Sequence, residues 1–397
     1  MPNVYSLPSQ PPPADKPSMQ GLSSVEAILE DMRAGRMVII LDDEDRENEG
    51  DLIMAAEHAT PDMVAFMIRH TSGIICVPMD EDRLTRLDLP QMVPHNSEGY
   101  RTAFTVSVDY RFGTTTGVSS SDRAATIRAL ADRSSTPQDF ARPGHIFPLR
   151  PRKGGVLIRA GHTEAAVDLC TLAGLQPAGV LCEIMNDDGT MARRTELEAF
   201  ARRHQLKIGT IADLIRYRLR NERSVVRASE QTIQTDLGEF RLFAYEDRVQ
   251  GGVHLALVHG RLDGPDTPLV RVHVADTLRD LIGARIDPRA WTLKAAMSRI
   301  VRAGSGVVVI LREPESPEAL TDALRSLSPP AAGASAAPAE RVANADDGGQ
   351  VLRTYGIGAQ ILKDLGVRRM RVLSAPKQMH GISAFDLEIE GYVGEES

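Results

Sequence analysis

The densest chemistry in the chain is a run of ten residues, Asp42-Asp43-Glu44-Asp45-Arg46-Glu47-Asn48-Glu49-Gly50-Asp51, of which seven are acids. Most acid runs are solvated loops. This one is bracketed directly by two apolar runs, Met37–Leu41 and Leu52–Ala56, which would hold it on rigid scaffolding. The lone Arg46 and Gly50 suit a tight turn that handles both a cation and an anion. Crowded carboxylates repel one another, and a bound hard cation relieves that cost. Magnesium takes oxygen ligands, keeps several waters and usually engages only one or two carboxylates.

A second segment, Arg159-Ala160-Gly161-His162-Thr163-Glu164-Ala165, falls at a predicted strand-to-helix junction. A helix N-terminus presents N–H groups and a positive dipole end, which suits a phosphate. Arg159 can add a forked, charge-assisted contact, and His162 can complete a metal shell through a neutral imidazole nitrogen. The plain alternative is an N-cap Thr163 with His162 facing solvent. Two more segments carry reactive groups. Arg142-Pro143-Gly144-His145-Ile146-Phe147-Pro148 presents His145 in a loop constrained by Pro and Gly. Leu181-Cys182-Glu183-Ile184-Met185-Asn186 puts Glu183 in the middle of an apolar strand, where a carboxylate is costly unless paired or protonated. A general acid or base needs such an environment.

The elements that position these groups are legible in outline. Ser23-x-x-Glu26 reads as a capping box for a helix with Val25, Ile28, Leu29 and Met32 on one face and a stop at Gly35. Thr60-Pro61 opens a second helix. Ile74–Met79, residues 103–110 and Gly179–Met185 read as strands, and Val156–Arg159 as a short strand leading into a helix that runs to about Ala173. Ser121 or a serine beside it can cap a helix running to Ala131, and residues 195–203 and 210–220 look helical. The polar stretch Asn221–Ser224 marks a domain boundary. Hairpin-like strands follow, including Val253–His259 and Leu269–Val274, then a helix over Thr292–Arg302 and a strand over Val307–Leu311. Intermixed strands and helices without βαβ regularity give an α+β or mixed α/β sandwich. Residues 328–349, rich in Pro, Ala, Gly and Asp, suggest a flexible loop, and no internal repeat is visible.

Composition narrows the class. A chain of 397 residues, 42% hydrophobic, is long enough for two cores. A net charge of -8 leaves no basic stripe for nucleic acid. Cys76, Cys170 and Cys182 form no C-x-x-C pair, which fits a reducing cytoplasm and no structural zinc. No stretch approaches the roughly 20 apolar residues that span a bilayer. The Pro-rich residues 1–20 lack the regions of a signal peptide and read as a disordered tail.

The acid run, Thr71-Ser-Gly73, Thr115-Thr-Gly-Val-Ser119 with Asp122-Arg123, Arg142–Pro148, Gly161-His-Thr-Glu-Ala165 and Glu183-Ile-Met-Asn186 together closely resemble 3,4-dihydroxy-2-butanone 4-phosphate synthase over residues 21–220. The resemblance implies an α+β sandwich, a homodimer with sites near the subunit interface, and a lyase of riboflavin biosynthesis. Its substrate would be D-ribulose 5-phosphate, its products formate and L-3,4-dihydroxybutan-2-one 4-phosphate. Two magnesium ions per subunit, replaceable by manganese, are implied, with Glu47 touching both and His162 holding one. Arg46, Glu47, Asp51, Arg159, Ala160, Gly161, His162, Thr163 and Glu183 match substrate contacts, and His145 and Glu183 the pair essential for catalysis.

Residues 226–395 more weakly resemble GTP cyclohydrolase II, through Thr267-Pro-Leu-Val-Arg-Val-His273 and Tyr355–Gly366. That activity needs a zinc held by three cysteines, and this half contains none. Asp276, Asp287 and Arg289 stand at the ligand positions, and Arg312-Glu-Pro-Glu-Ser316 replaces the family's Gln-Glu-Gly-Arg segment. The expectation is a lyase with an inactive partner domain. A bifunctional lyase and cyclohydrolase, and a non-catalytic regulatory paralogue, are the alternatives.

Overall fold

A computed structural model describes residues 21–264, 266–284, 291–312, 317–326, 347–375 and 385–394. The tail expected over residues 1–20 and residues 328–346 of the expected loop lie outside these. The chain divides into two units, with the division between Arg218 and Leu219.

The first unit is built on seven strands: β1 (Val38–Leu41), β2 (Gly50–Ala55), β3 (Cys76–Pro78), β4 (Val108–Tyr110), β5 (Phe140–Leu149), β6 (Gly179–Glu183) and β7 (Lys207–Thr210). Its helices are α1 (Val25–Arg33), α2 (Pro61–His70), α3 (Glu81–Arg86), α4 (Ser120–Ala131), α5 (His162–Leu172), α6 (Arg194–His204) and α7 (Ile211–Asn221), the last crossing the division. The strands form one mixed sheet in the order β4-β5-β3-β6-β2-β1-β7. β1 and β2 are an antiparallel pair, Val38↔Ile53 to Leu41↔Gly50, so the acid run is the turn of a hairpin. Both strands are buried throughout because helices cover both faces, which is why they read as unbroken apolar runs. Ile39, Leu41, Leu52 and Met54 pack with Val64 and Met67 of α2, Ile127 and Leu130 of α4, and Leu197 of α6. The alternate residues face α1 and α5.

Several local readings change. The first helix is capped by Ser24, which accepts from Ala27 N, not by Ser23. Ser119 caps α4. Residues 103–110 form a ladder only at Val108–Tyr110, with isolated bridges at Phe104 and Thr105. Val156–Arg159 is not a strand. Gly154 and Gly155, at φ 99° and 64°, tighten Gly155–Leu157 into a 3₁₀ turn. Arg142–Pro148, expected as a loop, lies within β5. Pro143 is tolerated there because it falls where the β4–β5 register jumps, from Val108↔Ile146 to Asp109↔Ala141.

The second unit carries β8 (Val225–Thr235), β9 (Gly238–Asp247), β10 (Val253–His259), β11 (Leu269–Val274), β12 (Gly306–Leu311), β13 (Arg369–Leu373) and β14 (Glu388–Val393). Their order is β14-β13-β11-β12-β10-β9-β8, an antiparallel meander continued by parallel strands. Helices α8 (Leu293–Ala303), α9 (Pro317–Ser326) and α10 (Asp347–Asp364) complete it. Residues 347–349, at the end of the expected loop, begin α10.

Arg83 of α3 shows how an element of the first unit is locked in place. Its side chain is buried and donates to the carbonyls of Ala129, Leu130, Asp132 and Ser135, at and just beyond the C-terminus of α4. These helix-end carbonyls otherwise have no partner within the helix. Arg83→Met should therefore lower unfolding free energy by about 3 kcal/mol, the scale of a charge-assisted bond lost with acceptors left buried. Urea denaturation with an unchanged slope is the check.

Candidate metal and substrate site

The hairpin turn divides its acids by role. Asp43, Glu44 and Asp45 are exposed. The Asp42 side chain is fully covered and folds back over the turn, accepting from Glu47 N (3.1 Å), Glu49 N (2.8 Å) and Arg46 Nη1 (2.9 Å). The same Arg46 nitrogen donates to Glu47 Oε2 at 2.6 Å. Asn48 takes φ 55°, a left-handed conformation that Asn tolerates. Two residues from elsewhere clamp the turn. Arg193, ahead of α6, donates to the carbonyls of Glu47 and Asn48, and the Tyr100 hydroxyl donates to Arg46 O while its ring lies 5.2 Å from the Arg46 guanidinium.

α5 begins at His162 with Gly161 as its N-cap, and no side chain caps it. Thr163 is thus inside the helix, and His162 is 6% exposed rather than facing solvent. Its Nε2 lies 3.0 Å from Ile40 O and donates to it. That fixes Nδ1 toward the turn, 3.8 Å from Glu47 Oε2 and 3.7 Å from Asp51 Oδ1. Arg159 is committed to Glu164 Oε2 (2.8 Å), with further bonds to Tyr100 O and Thr102 Oγ1. A Cβ at Gly161 would meet the Arg159 guanidinium and the Glu164 carboxylate, so a side chain there would displace that ion pair. Ala160 is half-buried beside it.

Asp51 registers with Ile40 on one side and Glu183 on the other, so the two carboxylates are direct cross-strand neighbours, with Cβ atoms roughly 5 Å apart. Asp51 is buried, and its Oδ1 has no hydrogen-bond partner among the described residues. Burial pushes its carboxyl up to about 7, with His162 opposing and Glu183 and Glu47 adding. Burial also pushes Glu47 upward, but His162 and Arg46 prevail and hold it at about 2. Glu183 closes β6 in the centre of the sheet, half-buried, rather than standing mid-strand. Its Oε2 accepts from Ile74 N at 2.8 Å. Gly73 permits this, because a Cβ there would collide with the Glu183 carboxylate and backbone.

His145 is held apart, by Asp109. Cys76 of β3 registers with Phe147 and with Leu181, so His145 and Glu183 each lie two residues beyond it at the same end of the sheet. Two strand spacings, roughly 10 Å, separate those positions. The fold thus gathers Arg46, Glu47, Asp51, His162 and Glu183, with Arg159 joined through Tyr100. Arg193, Tyr100 and Asp109 make contacts here that sequence patterns did not single out, and Asp42, though within the acid run, carried no separate reading.

Ligand atoms of Asp42, Glu47 and His162 lie within 4.8 Å of one another. Asp42 already accepts three donors, so Glu47 and His162 are the better ligands. The donor set fits a hard divalent cation: an anchored imidazole with its free nitrogen turned to carboxylates, beside an orphaned buried oxygen. Burial pulls the His162 imidazole down, but Asp51, Glu47 and Asp42 outweigh it and raise its pKa to about 9. In the metal-free protein this charge contributes stability that is fully present below the ordinary value of about 6.5 and lost as pH rises through about 9. A cation taking Nδ1 must displace that proton. Binding of Mg²⁺ or Mn²⁺ near neutral pH should release protons, and affinity should climb with pH until His162 is neutral. Titration calorimetry in buffers of different ionisation enthalpy reads this directly; binding without proton release would exclude His162 as ligand.

A buried carboxylate–imidazole cluster beside a helix N-terminus without a side-chain cap, at the end of a two-sided sheet, is chemistry that suits a metal-dependent enzyme handling oxygen-rich anions. Comparison with known proteins narrows the class. Residues 26–217 match the family of 3,4-dihydroxy-2-butanone 4-phosphate synthase, and residues 226–394 match GTP cyclohydrolase II. A 3,4-dihydroxy-2-butanone 4-phosphate synthase of Pseudomonas aeruginosa is 50% identical over 94% of this chain and 99% of its own. A bifunctional riboflavin biosynthesis protein of Arabidopsis thaliana is 49% identical over 94% of this chain and 69% of its own. The crystal structure of a two-domain 3,4-dihydroxy-2-butanone 4-phosphate synthase from A. baumannii superposes with a TM-score of 0.78 at 42% identity, covering 94% of this chain and all of that one. The chain belongs to the 3,4-dihydroxy-2-butanone 4-phosphate synthase family. No helix among the described residues is long and apolar enough to cross a membrane.

Proposed function

We propose that residues 21–220 form a lyase domain that converts D-ribulose 5-phosphate to L-3,4-dihydroxybutan-2-one 4-phosphate and formate, in riboflavin biosynthesis. The observation that carries this is the approach of His162 Nδ1 to both Glu47 and Asp51, at 3.8 and 3.7 Å, from three separate elements. Glu47 and His162 would hold magnesium, with manganese as a substitute. When bound, the cation supplies a Lewis acid and template for oxygens on adjacent carbons.

The protein's own groups do the rest. Enolisation of the ketose needs a base for the C3 proton and an acid for the departing C1 hydroxyl. Glu183 and His145 share these transfers in the proposal. Asp51 is a further proton carrier, since a carboxyl near neutrality can hold or release a proton at Oδ1. Arg46 orients Glu47 and offers positive charge to substrate oxygens. The start of α5, from Ala160 to Thr163, and Arg159 suit the phosphate. A skeletal shift follows, and carbon 4 is then released as formate by a C–C cleavage that takes up one water, balancing the water lost with the C1 hydroxyl.

The test is formate release from ribulose 5-phosphate by the full chain. EDTA should abolish it and Mg²⁺ or Mn²⁺ restore it. Glu183→Gln should bind substrate yet turn over slower by roughly 10²-fold, the scale of a positioned acid–base group. Wild-type rates in EDTA, or in Glu183→Gln, would remove the corresponding role.

Residues 226–395 form, in this reading, a domain without cyclohydrolase activity. That half contains no cysteine. Asp276, at one expected ligand position, caps a π-helical turn by accepting from Arg279 N. Asp287 and Arg289 lie outside the described residues. Purified protein should carry no stoichiometric zinc and should form no cyclohydrolase product from GTP; both appearing together would establish the bifunctional alternative. A homodimer in the cytoplasm completes the proposal.

A further inference from the structure

His145 stands on β5, apart from the carboxylate–imidazole cluster, and a carboxylate of its own is built against it. Asp109 Oδ1 accepts from His145 N at 2.9 Å, and Asp109 Oδ2 lies 2.7 Å from His145 Nδ1. One carboxylate therefore fixes both the backbone and the ring of the same residue. The surrounding backbone is shaped to it. The β4–β5 register jumps between Val108 and Asp109, a bulge of the kind that re-aims side chains. Gly144 lies so close to the Val108–Asp109 peptide that a Cβ would overlap it, and Gly144 N donates to Ser107 Oγ. Gly117, at φ 84°, leaves open the space beside the Asp109 carboxylate and His145 Nδ1 that a Cβ would fill. Asp122 pins that loop, accepting at one oxygen from Thr115 N, Thr115 Oγ1 and Gly117 N.

Stability does not account for this apparatus. The His145 side chain is 48% exposed, and exposed ion pairs contribute about 1 kcal/mol or less. What the geometry does accomplish is orientation. With Nδ1–H donated to Asp109, the lone pair of neutral His145 sits on Nε2, at the ring's outer edge.

We propose that Asp109 is a positioning residue for the lyase reaction, selecting the Nδ1–H tautomer of His145 so that Nε2 is the atom that exchanges protons with substrate. Asp109 touches neither substrate nor metal; it acts through the ring. This rests on the reading of His145 as an acid–base group.

The experiment uses the full chain with saturating Mg²⁺. Wild type, Asp109→Asn, Asp109→Glu and His145→Gln are compared for kcat and KM of formate release, for melting temperature, and for imidazole ¹⁵N signals of histidine-labelled protein, with His145 assigned by its loss in His145→Gln. In Asp109→Asn, kcat should fall roughly 10²-fold with KM and melting temperature near wild type, and His145 should lose its single Nδ1–H signature. Asp109→Glu, keeping a carboxylate, should recover part of the rate and the signature. Wild-type turnover in Asp109→Asn beside an inactive His145→Gln would overturn the proposal, as would an unchanged tautomer. Wild-type turnover in His145→Gln would instead overturn the acid–base reading of His145, and the proposal with it.

Discussion

The hydrogen bond from His162 to the carbonyl of Ile40 is the constraint on which the site depends. It joins the first residue of α5 to the strand that leads into the acid turn, so the docking of the helix and the aim of the imidazole are one event. Burying a histidine among carboxylates is costly unless each charge is met. Here Glu47 is met by Arg46 and His162, and Asp42 by Arg46 and two backbone amides. The buried Asp51 Oδ1 has no hydrogen-bond partner among the described residues, and burial raises the pKa of its carboxyl, with the neighbouring Glu183 and Glu47 adding to it.

Much of this was legible in the sequence, for a local reason. Arg46, Glu47 and Asp51 fall in a short acid run bracketed by apolar runs, Glu183 interrupts one, and His162 follows one closely, so each polar group stands out against the scaffold around it. Asp109, Arg193 and Tyr100 were not legible, because each acts through contacts to a segment far along the chain and carries no mark in its own neighbourhood. The residues around His145 misled in another way. Pro and Gly there signal a loop, yet they sit in a bulge within a strand, a distinction made by the partner strand rather than by the segment. Residues 103–110 alternate well, but Thr105 N bonds to Pro148 O and Val106 N to Pro90 O, so pairing there is dispersed among different neighbours.

The two units show opposite relations between frame and chemistry. In the second, Phe243, Tyr245, Ala256, Val307 and Val309 pack into one apolar core. His273 is clamped by both oxygens of Asp280, and the neighbouring Asp276 caps a turn. In the first unit the acids of the turn are themselves structural, since Asp42 organises the hairpin backbone.

Mounting carboxylates on adjacent strands turns the sheet into a ruler. Asp51, Glu183 and the position of His145 are spaced in units of the interstrand distance, which backbone pairing keeps nearly constant. Substituting side chains can change what stands at each graduation but cannot shift the graduations themselves.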